Sequence, residues 1–222
     1  MTTNDWIQSI STIILSLTAF LAPYVIERWK YTYRAPEIKI TFKLSPPFCH
    51  MTQMKGPSVD YPVYYFRFLV ENIGKTQAED CEVFLEKISK ENSAGKMIRI
   101  ENFTPVNLKW SGGREPYKRT LQPGRRMFVD IGRIQEPNNN YLSIYRGITT
   151  KQQNQLKFVF ELPDRFYSQW DCLIKGNYRI EIVIYSKNAE KTTHEFYISW
   201  SGEWEDDEVK MFNELVISKN KF

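Results

Sequence analysis

The residues of this sequence that could do chemistry are basic and aromatic side chains clustered between Val106 and Arg133. Seven Lys and Arg residues occur in this window against only Glu115 and Asp130. Arginine guanidinium groups bind phosphate through paired hydrogen bonds, and aromatic rings stack on nucleobases, so the window predicts a site for an anionic ligand. Its predicted members are Trp110, Arg114, Tyr117, Lys118, Arg119, Arg125 and Arg126. A nucleotide or oligonucleotide fits this chemistry, while a solvated strand face or attraction to anionic lipid would account for the same charges.

Catalytic and metal-binding residues do not occur in the patterns that these functions require. Cys49, Cys81 and Cys172 form no CxxC pair. His50 and His194 lie far apart in the sequence and have no ligand-like spacing. No glycine-rich nucleotide loop of the Walker or dinucleotide type is present. We therefore predict a protein without enzymatic activity, metal or cofactor, whose free thiols fit a reducing compartment.

An uncharged stretch of 21 residues, WIQSISTIILSLTAFLAPYVI, runs from Trp6 to Ile26. At about 1.5 Å of rise per residue, such a helix spans the ~30 Å hydrocarbon layer of a bilayer. The preceding residues carry Asp5 as their only charged side chain, unlike the basic leader of a cleaved signal peptide, so we predict a permanent anchor. Arg28, Lys30 and Arg34 follow the span and predict that the rest of the chain faces the cytoplasm, with the amino terminus outside.

Small and polar side chains are collected on one face of this predicted helix, which we call the polar face. At 100° per residue they fall within an arc of about 100°. The members of the polar face are Asp5, Gln8, Ser9, Thr12, Ser16, Ala19 and Pro23. Helices in lipid associate through small residues and interhelical hydrogen bonds, each worth about 0.6–2 kcal/mol, so this face predicts a homo-oligomer. It could also line a water-filled path, in which a ring of Asp5 would favour cations. The alternative is that the hydroxyls bond back to carbonyls of their own helix.

Alternating apolar and polar residues after Ala35 predict a series of short β-strands. These strands are predicted near 37–44, 61–72, 80–90, 96–102, 106–111, 119–134, 140–145, 156–162, 177–186 and 194–200. The predicted fold is mainly β, an antiparallel β-sandwich of residues 37–202 behind a transmembrane helix of residues 1–30 and a juxtamembrane linker of residues 31–36. A short amphipathic helix is predicted over 203–218, where the acidic run EDDE suits the first helical turn better than a metal site.

The clearest predicted strand pair carries a recognisable pattern. Val70, Asn72, Gly74 and Ala78 match V-x-N-x-G-x-x-x-A, with LQPG at 121–124 and GNYRIEIVIYSKNAE at 176–190 as later turns and strand. This stretch resembles the bacterial Ig-like modules of the CARDB type. The resemblance implies an Ig-like β-sandwich that mediates adhesion or assembly, and it transfers no functional residues to this chain.

The predicted architecture, one polar-faced anchor with a cytoplasmic β-domain, resembles the small membrane effectors of bacterial antiviral defence. In those effectors a soluble domain senses a nucleotide or a partner, and the helices permeabilise the inner membrane. The resemblance implies a homo-oligomeric, ion-channel-like protein of the bacterial inner membrane, gated by a nucleotide or protein ligand. The competing hypothesis is a passive, membrane-tethered protein-interaction module, and an enzyme with an unfamiliar site is a third.

Overall fold

The computed structural model describes residues 3–33, 35–55, 60–112, 117–135, 156–162 and 171–222. An amino-terminal helix, α1, extends over Thr3–Tyr33 and includes Pro23. Its segment Trp6–Trp29 has a mean hydropathy of 1.8, and none of it is buried against the other residues that the structure describes. The helix is therefore long and apolar enough to cross a membrane. It also continues beyond residue 30, into the stretch predicted as a linker.

Fourteen strands and one further helix follow α1 in the described residues. They are β1 (Ile38–Thr41), β2 (Cys49–Met54), β3 (Tyr61–Asn72), β4 (Ala78–Glu91), β5 (Met97–Arg99), β6 (Val106–Asn107), β7 (Lys109–Trp110), β8 (Arg119–Leu121), β9 (Arg126–Gln135), β10 (Phe158–Phe160), β11 (Cys172–Leu173), β12 (Gly176–Ser186), β13 (Ala189–Trp200), α2 (Glu208–Glu214) and β14 (Leu215–Ser218).

The strands form two sheets whose pairings are antiparallel. The first sheet has the order β1-β3-β9-β10-β11, with β2 beside β3 and β7 beside β9. The second has the order β14-β13-β12-β4-β5, with β6 and β8 beside β4. The predicted fold class is confirmed: the chain is mainly β, with an apolar amino-terminal helix, two antiparallel sheets and a short carboxy-terminal helix.

The core lies between the two sheets and is formed by every second residue of the long strands. On β3, the predicted inward residues Tyr64, Phe66 and Phe68 are fully buried. The ring of Phe68 stacks on that of Phe196 from the opposite sheet, with centroids 4.2 Å apart. Because burying one such side chain contributes about 1.5–3 kcal/mol, this alternation is what holds the sheets together. Cys81 is also fully buried, so it is a small core residue, as predicted.

The structure differs from the predicted elements in several places. The single strand predicted over 106–111 is β6 and β7, which lie in different sheets. The single strand predicted over 119–134 is also two strands in different sheets, because the backbone turns at Gly124, where φ is +72°. The predicted carboxy-terminal helix is limited to Glu208–Glu214, and its last residues instead form β14 on the open edge of β13. An edge strand with unpaired backbone groups favours such pairing. The strand predicted over 140–145 lies outside the described residues, and β2 and β11 were not predicted.

Candidate functional site

Four hydroxyl groups of α1 form hydrogen bonds within their own helix. On the polar face, Thr12 Oγ1 donates to Gln8 O at 2.8 Å and Ser16 Oγ donates to Thr12 O at 2.8 Å. Away from that face, Ser11 Oγ donates to Ile7 O at 2.7 Å and Thr18 Oγ1 donates to Ile14 O at 2.8 Å. Each hydroxyl thus uses its one hydrogen locally but keeps acceptor lone pairs on its oxygen.

The polar face remains open to a partner in the isolated chain. Gln8, Ser9 and Ala19 are exposed, like the rest of the apolar segment. The Gln8 amide carries two donor hydrogens, which the hydroxyl oxygens of a neighbouring helix could accept. Asp5 lies within α1, but its side chain is outside the described residues.

The predicted anion site is not one cluster, and Trp110 does not belong to it. The Trp110 side chain is fully buried, and its Nε1 donates to Cys81 O at 3.2 Å. A ring packed in the core cannot stack on a ligand, so its predicted role is corrected to a core residue. Arg114 lies outside the described residues, and Tyr117 is half-buried.

The remaining basic residues fall into two groups because the chain changes sheets between them. On the second sheet, Lys118 Nζ lies 3.8 Å from Glu82 Oε1, and Arg119 Nη2 donates to Gly112 O at 3.4 Å. On the first sheet, Arg126 Nε lies 3.0 Å from Glu71 Oε1. Exposed ion pairs of this kind contribute about 0–1 kcal/mol, so they can open for a ligand at little cost.

Asn72, from the pattern V-x-N-x-G-x-x-x-A, connects four separate segments. It is fully buried, and its Nδ2 donates to Thr76 O at 2.7 Å and to Leu121 O at 2.8 Å. Its Oδ1 accepts hydrogen bonds from Gly74 N at 3.0 Å and from Glu37 N at 3.3 Å. One amide therefore links the end of β3, the following turn, β8 and the segment that leaves α1.

Gly74 lets that segment lie directly on the sandwich. A Cβ at Gly74 would be 2.3 Å from Glu37 N and 2.7 Å from Ala35 O, distances that real Cβ atoms do not show. Ile73 N also donates to Glu37 O at 2.8 Å. Since α1 ends at Tyr33, the chain is packed on the sandwich within two residues of the helix end. The predicted linker of residues 31–36 is thus helix followed by a docked segment. Sequence reasoning assigned this pattern to fold only and missed the junction.

A cleft of about 570 Å³ lies at this junction. It is lined by Arg28 of α1, by residues 35–38 and by residues 189–193 at the start of β13. Its charged side chains are Arg28, Glu37, Glu190 and Lys191. The cleft is thus placed where the apolar helix meets the sandwich and offers both cations and carboxylates.

A further polar cluster covers the outer face of the first sheet. Arg67 Nη2 donates to Pro47 O at 2.9 Å and lies 3.3 Å from His50 Nδ1, while its guanidinium sits 5.0 Å from the centre of the Phe128 ring. Nearby, Asp130 accepts a hydrogen bond from Ser111, and burial raises the pKa of Asp130. Arg67 on β3 lies directly opposite Asp130 on β9, and this pairing brings the polar side chains together on the outer face.

The three cysteine thiols of the chain are free and buried. Burial raises the pKa of the Cys49 and Cys172 thiols to about 12 and that of Cys81 to about 11, which keeps them protonated and poorly nucleophilic. No group of three or more His, Cys, Asp or Glu side chains in the described ranges is placed to hold a metal ion.

The half-buried His194 makes the stability of the sandwich depend on pH. Burial and the nearby Lys219 ammonium lower the pKa of His194, and its Nε2 is buried without a hydrogen-bond partner among the described residues. The unfolded chain therefore binds a proton more readily than the folded chain below the ordinary pKa of 6.5. We expect the melting temperature to fall between pH 7.5 and pH 5.5, as measured by thermal unfolding.

Replacing His194 with phenylalanine should flatten this pH dependence without abolishing it, because burial also lowers the pKa of His50. A variant that loses as much stability on acidification as the parent protein would contradict the role of His194.

No protein-family model matches this chain, and no curated protein matches it. Its function is therefore inferred from its own chemistry.

Proposed function

We propose that this protein is a single-pass membrane protein that self-associates through the polar face of α1 and permeabilises the membrane under the control of its sandwich. The observation that carries this proposal is the polar face itself, on a helix whose apolar segment is not buried by any residue that the structure describes. In contact with lipid, these small and polar side chains have no advantage over leucine. In contact with a second helix or with water, they do, because they can pack closely and form hydrogen bonds. The basic flank after the span supports a cytoplasmic sandwich, and the architecture supports a place in the bacterial inner membrane as an antiviral effector.

If the sandwich controls the membrane helix, a movement of one must be transmitted to the other, and the junction supports such coupling. Asn72 and Gly74 hold the segment after α1 by hydrogen bonds and backbone contact, so a movement of the sandwich would move the end of the helix. A ligand that binds one arrangement of the assembled sandwiches more tightly would shift the helices towards the matching packing.

The order of the central strands supports an Ig-like module. In Ig sandwiches, strands A, B and E share one sheet, and strands C, F and G share the other. Here β1, β3 and β9 are neighbours in one sheet, and β4, β12 and β13 are neighbours in the other. A domain of this kind suits assembly between copies or binding of a protein partner.

An anionic ligand, such as a nucleotide or oligonucleotide, remains part of the proposal. Tyr117, Lys118 and Arg119 offer an aromatic ring and two cations on the second sheet. With Trp110 in the core, recognition would depend on charge more than on stacking. Arg125 and Arg126 belong to the other group and are considered below.

The hydrogen bonds within α1 favour a second candidate function, the passive tether. The hydroxyls of Thr12 and Ser16 are satisfied without any neighbouring helix, so a monomeric anchor would leave none of these donors unpaired. In that case the sandwich would serve as a docking module held at the membrane.

The oligomeric state and the ion permeability of the reconstituted full-length chain separate the two candidates. We expect mass measurement in nanodiscs to show an oligomer. We also expect the protein to dissipate a potassium gradient across liposomes, measured both in the absence and in the presence of added nucleotides. Empty liposomes taken through the same procedure are the control. A monomer that leaves the gradient intact would contradict the proposal and favour the tether.

A further inference from the structure

Four segments meet at the end of the sandwich from which α1 leaves, which we call the junction end. They are Ala35–Glu37, the turn between β3 and β4, the turn between β8 and β9, and the turn between β12 and β13. Gly124 N donates to Asn72 O at 2.7 Å, and Lys187 N donates to Glu79 O at 2.9 Å. These backbone hydrogen bonds join the turns of both sheets into one surface.

The junction end exposes the large apolar side chain of Ile73, whose two neighbours in the chain are both held by contacts with the segment that leaves α1. Ile73 retains 46% of its surface, although its neighbours Asn72 and Gly74 are held tightly by the segment that leaves α1. Ile98, near the opposite end on β5, is exposed to the same 46%. The two isoleucines therefore differ in location but not in exposure.

The same surface carries four cations, of which two form ion pairs with described residues and two do not. Arg126 is paired with Glu71 at 3.0 Å, and Lys187 Nζ lies 4.0 Å from Glu79 Oε2. Lys75 and Arg125 are exposed and form no ion pair with any residue that the structure describes. Two cations beside an exposed isoleucine are the chemistry of a surface that rests on lipid phosphates.

The exposed carboxylates of Glu37 and Glu190 also lie at this end and oppose that attraction. Arg28 of α1 and Lys191 line the same cleft as these carboxylates and offset them. Lys39 and Asp80 are also exposed beside this end and offset each other, so the net charge that remains is that of Lys75 and Arg125.

The length of α1 places the junction end at the depth of the lipid headgroups. The apolar segment ends at Trp29, and tryptophan is typical of the membrane interface. From Trp29 to the last helical residue, Tyr33, a helix rises about 6 Å. One headgroup layer is roughly 5–8 Å thick, so the helix end reaches its outer boundary and leaves no spacer between membrane and sandwich.

We propose that the junction end lies on the headgroup layer of an anionic membrane, with Ile73 among the headgroups and Lys75 and Arg125 bound to lipid phosphates. This inference rests on α1 being a membrane anchor, but it requires neither self-association nor conductance. It assigns Arg125 to lipid and leaves the soluble ligand to the group around Lys118 and Arg119.

The test uses the full-length chain in nanodiscs, with an environment-sensitive fluorophore on Ile73→Cys or, as the matched control, on Ile98→Cys. The native cysteines are buried, so the label reacts with the introduced thiol. We expect lipid-borne quenchers to quench the label at position 73, more strongly in anionic than in zwitterionic nanodiscs, and to leave the label at position 98 unquenched. Equal responses of the two labels would overturn the proposal.

Charge reversal then tests the two cations. Lys75→Glu with Arg125→Glu should lower the docking equilibrium constant reported at position 73 by about 25-fold or more, since each lost cation costs about fivefold and each introduced carboxylate adds repulsion. The matched control is Lys96→Glu with Arg99→Glu, two exposed cations at the opposite end, which should change nothing. Equal effects of the two pairs would refute a role for Lys75 and Arg125. A chain that fails to enter nanodiscs would instead refute the anchor, and so the proposed function.

Discussion

Replacing Asn72 with alanine lowers the free energy of unfolding of the sandwich by about 3–5 kcal/mol, because each buried polar group left without a partner costs about 1–3 kcal/mol. The Asn72 amide satisfies the carbonyls of Thr76 and Leu121 and the backbone N–H groups of Gly74 and Glu37. Alanine offers none of these bonds, and the site is fully buried. Urea denaturation of the detergent-solubilised protein, followed by intrinsic tryptophan fluorescence, measures the loss.

The matched control is Asn92→Ala in the turn between β4 and β5. Asn92 Oδ1 also accepts two backbone hydrogen bonds, from Ala94 N at 3.0 Å and from Lys96 N at 2.9 Å. Asn92 is exposed, so water replaces the amide and the expected loss is below about 1 kcal/mol. Similar losses for the two variants would show that Asn72 does not connect the segments as the structure indicates.

Leucine at both Thr12 and Ser16 abolishes ion flux through reconstituted liposomes and reduces self-association of α1. Each interhelical contact of a polar side chain is worth about 0.6–2 kcal/mol in lipid, so removing two from every helix pair should weaken association by about eightfold or more. Leucine also blocks the close approach that small side chains allow. The measurements are the potassium flux and the oligomer mass in nanodiscs.

The chain offers a chemically matched control on the other side of the same helix. Ser11 and Thr18 also donate to carbonyls of their own helix, but they lie about 110–130° around α1 from the centre of the polar face. The double variant Ser11→Leu with Thr18→Leu removes one serine and one threonine as well, and should retain flux and association. If both double variants behave alike, the polar face has no specific role, and the tether is the better hypothesis.

Asn72→Ala and the Thr12/Ser16 variant also address different parts of the proposed mechanism. The leucine variant should leave the stability of the sandwich unchanged, because α1 is not buried against it. Loss of Asn72 should weaken the hold on the segment after α1, and with it any control of the helix by the sandwich.

The sequence alone was enough to predict the elements that depend only on local patterns, namely the apolar helix and the alternating strands. The uncharged run from Trp6 to Ile26 needs only its own hydrogen bonds to form a helix, so its length and polar face could be derived without the rest of the chain. The alternation in β3 likewise predicts which residues face the core, because side chains in any strand point alternately to opposite faces.

Only the tertiary structure decided which distant residues meet. The sequence around Trp110 predicts an aromatic ring among surface cations, but the side chain points from its strand into the core. The hydrogen bonds of Asn72 reach Glu37, 35 positions away, and Leu121, 49 positions away. A local sequence pattern predicts which residues of one strand face the core. The hydrogen-bond partners of a buried amide depend instead on how the two sheets and the docked segment pack together. The junction between helix and sandwich therefore became visible only in the folded chain.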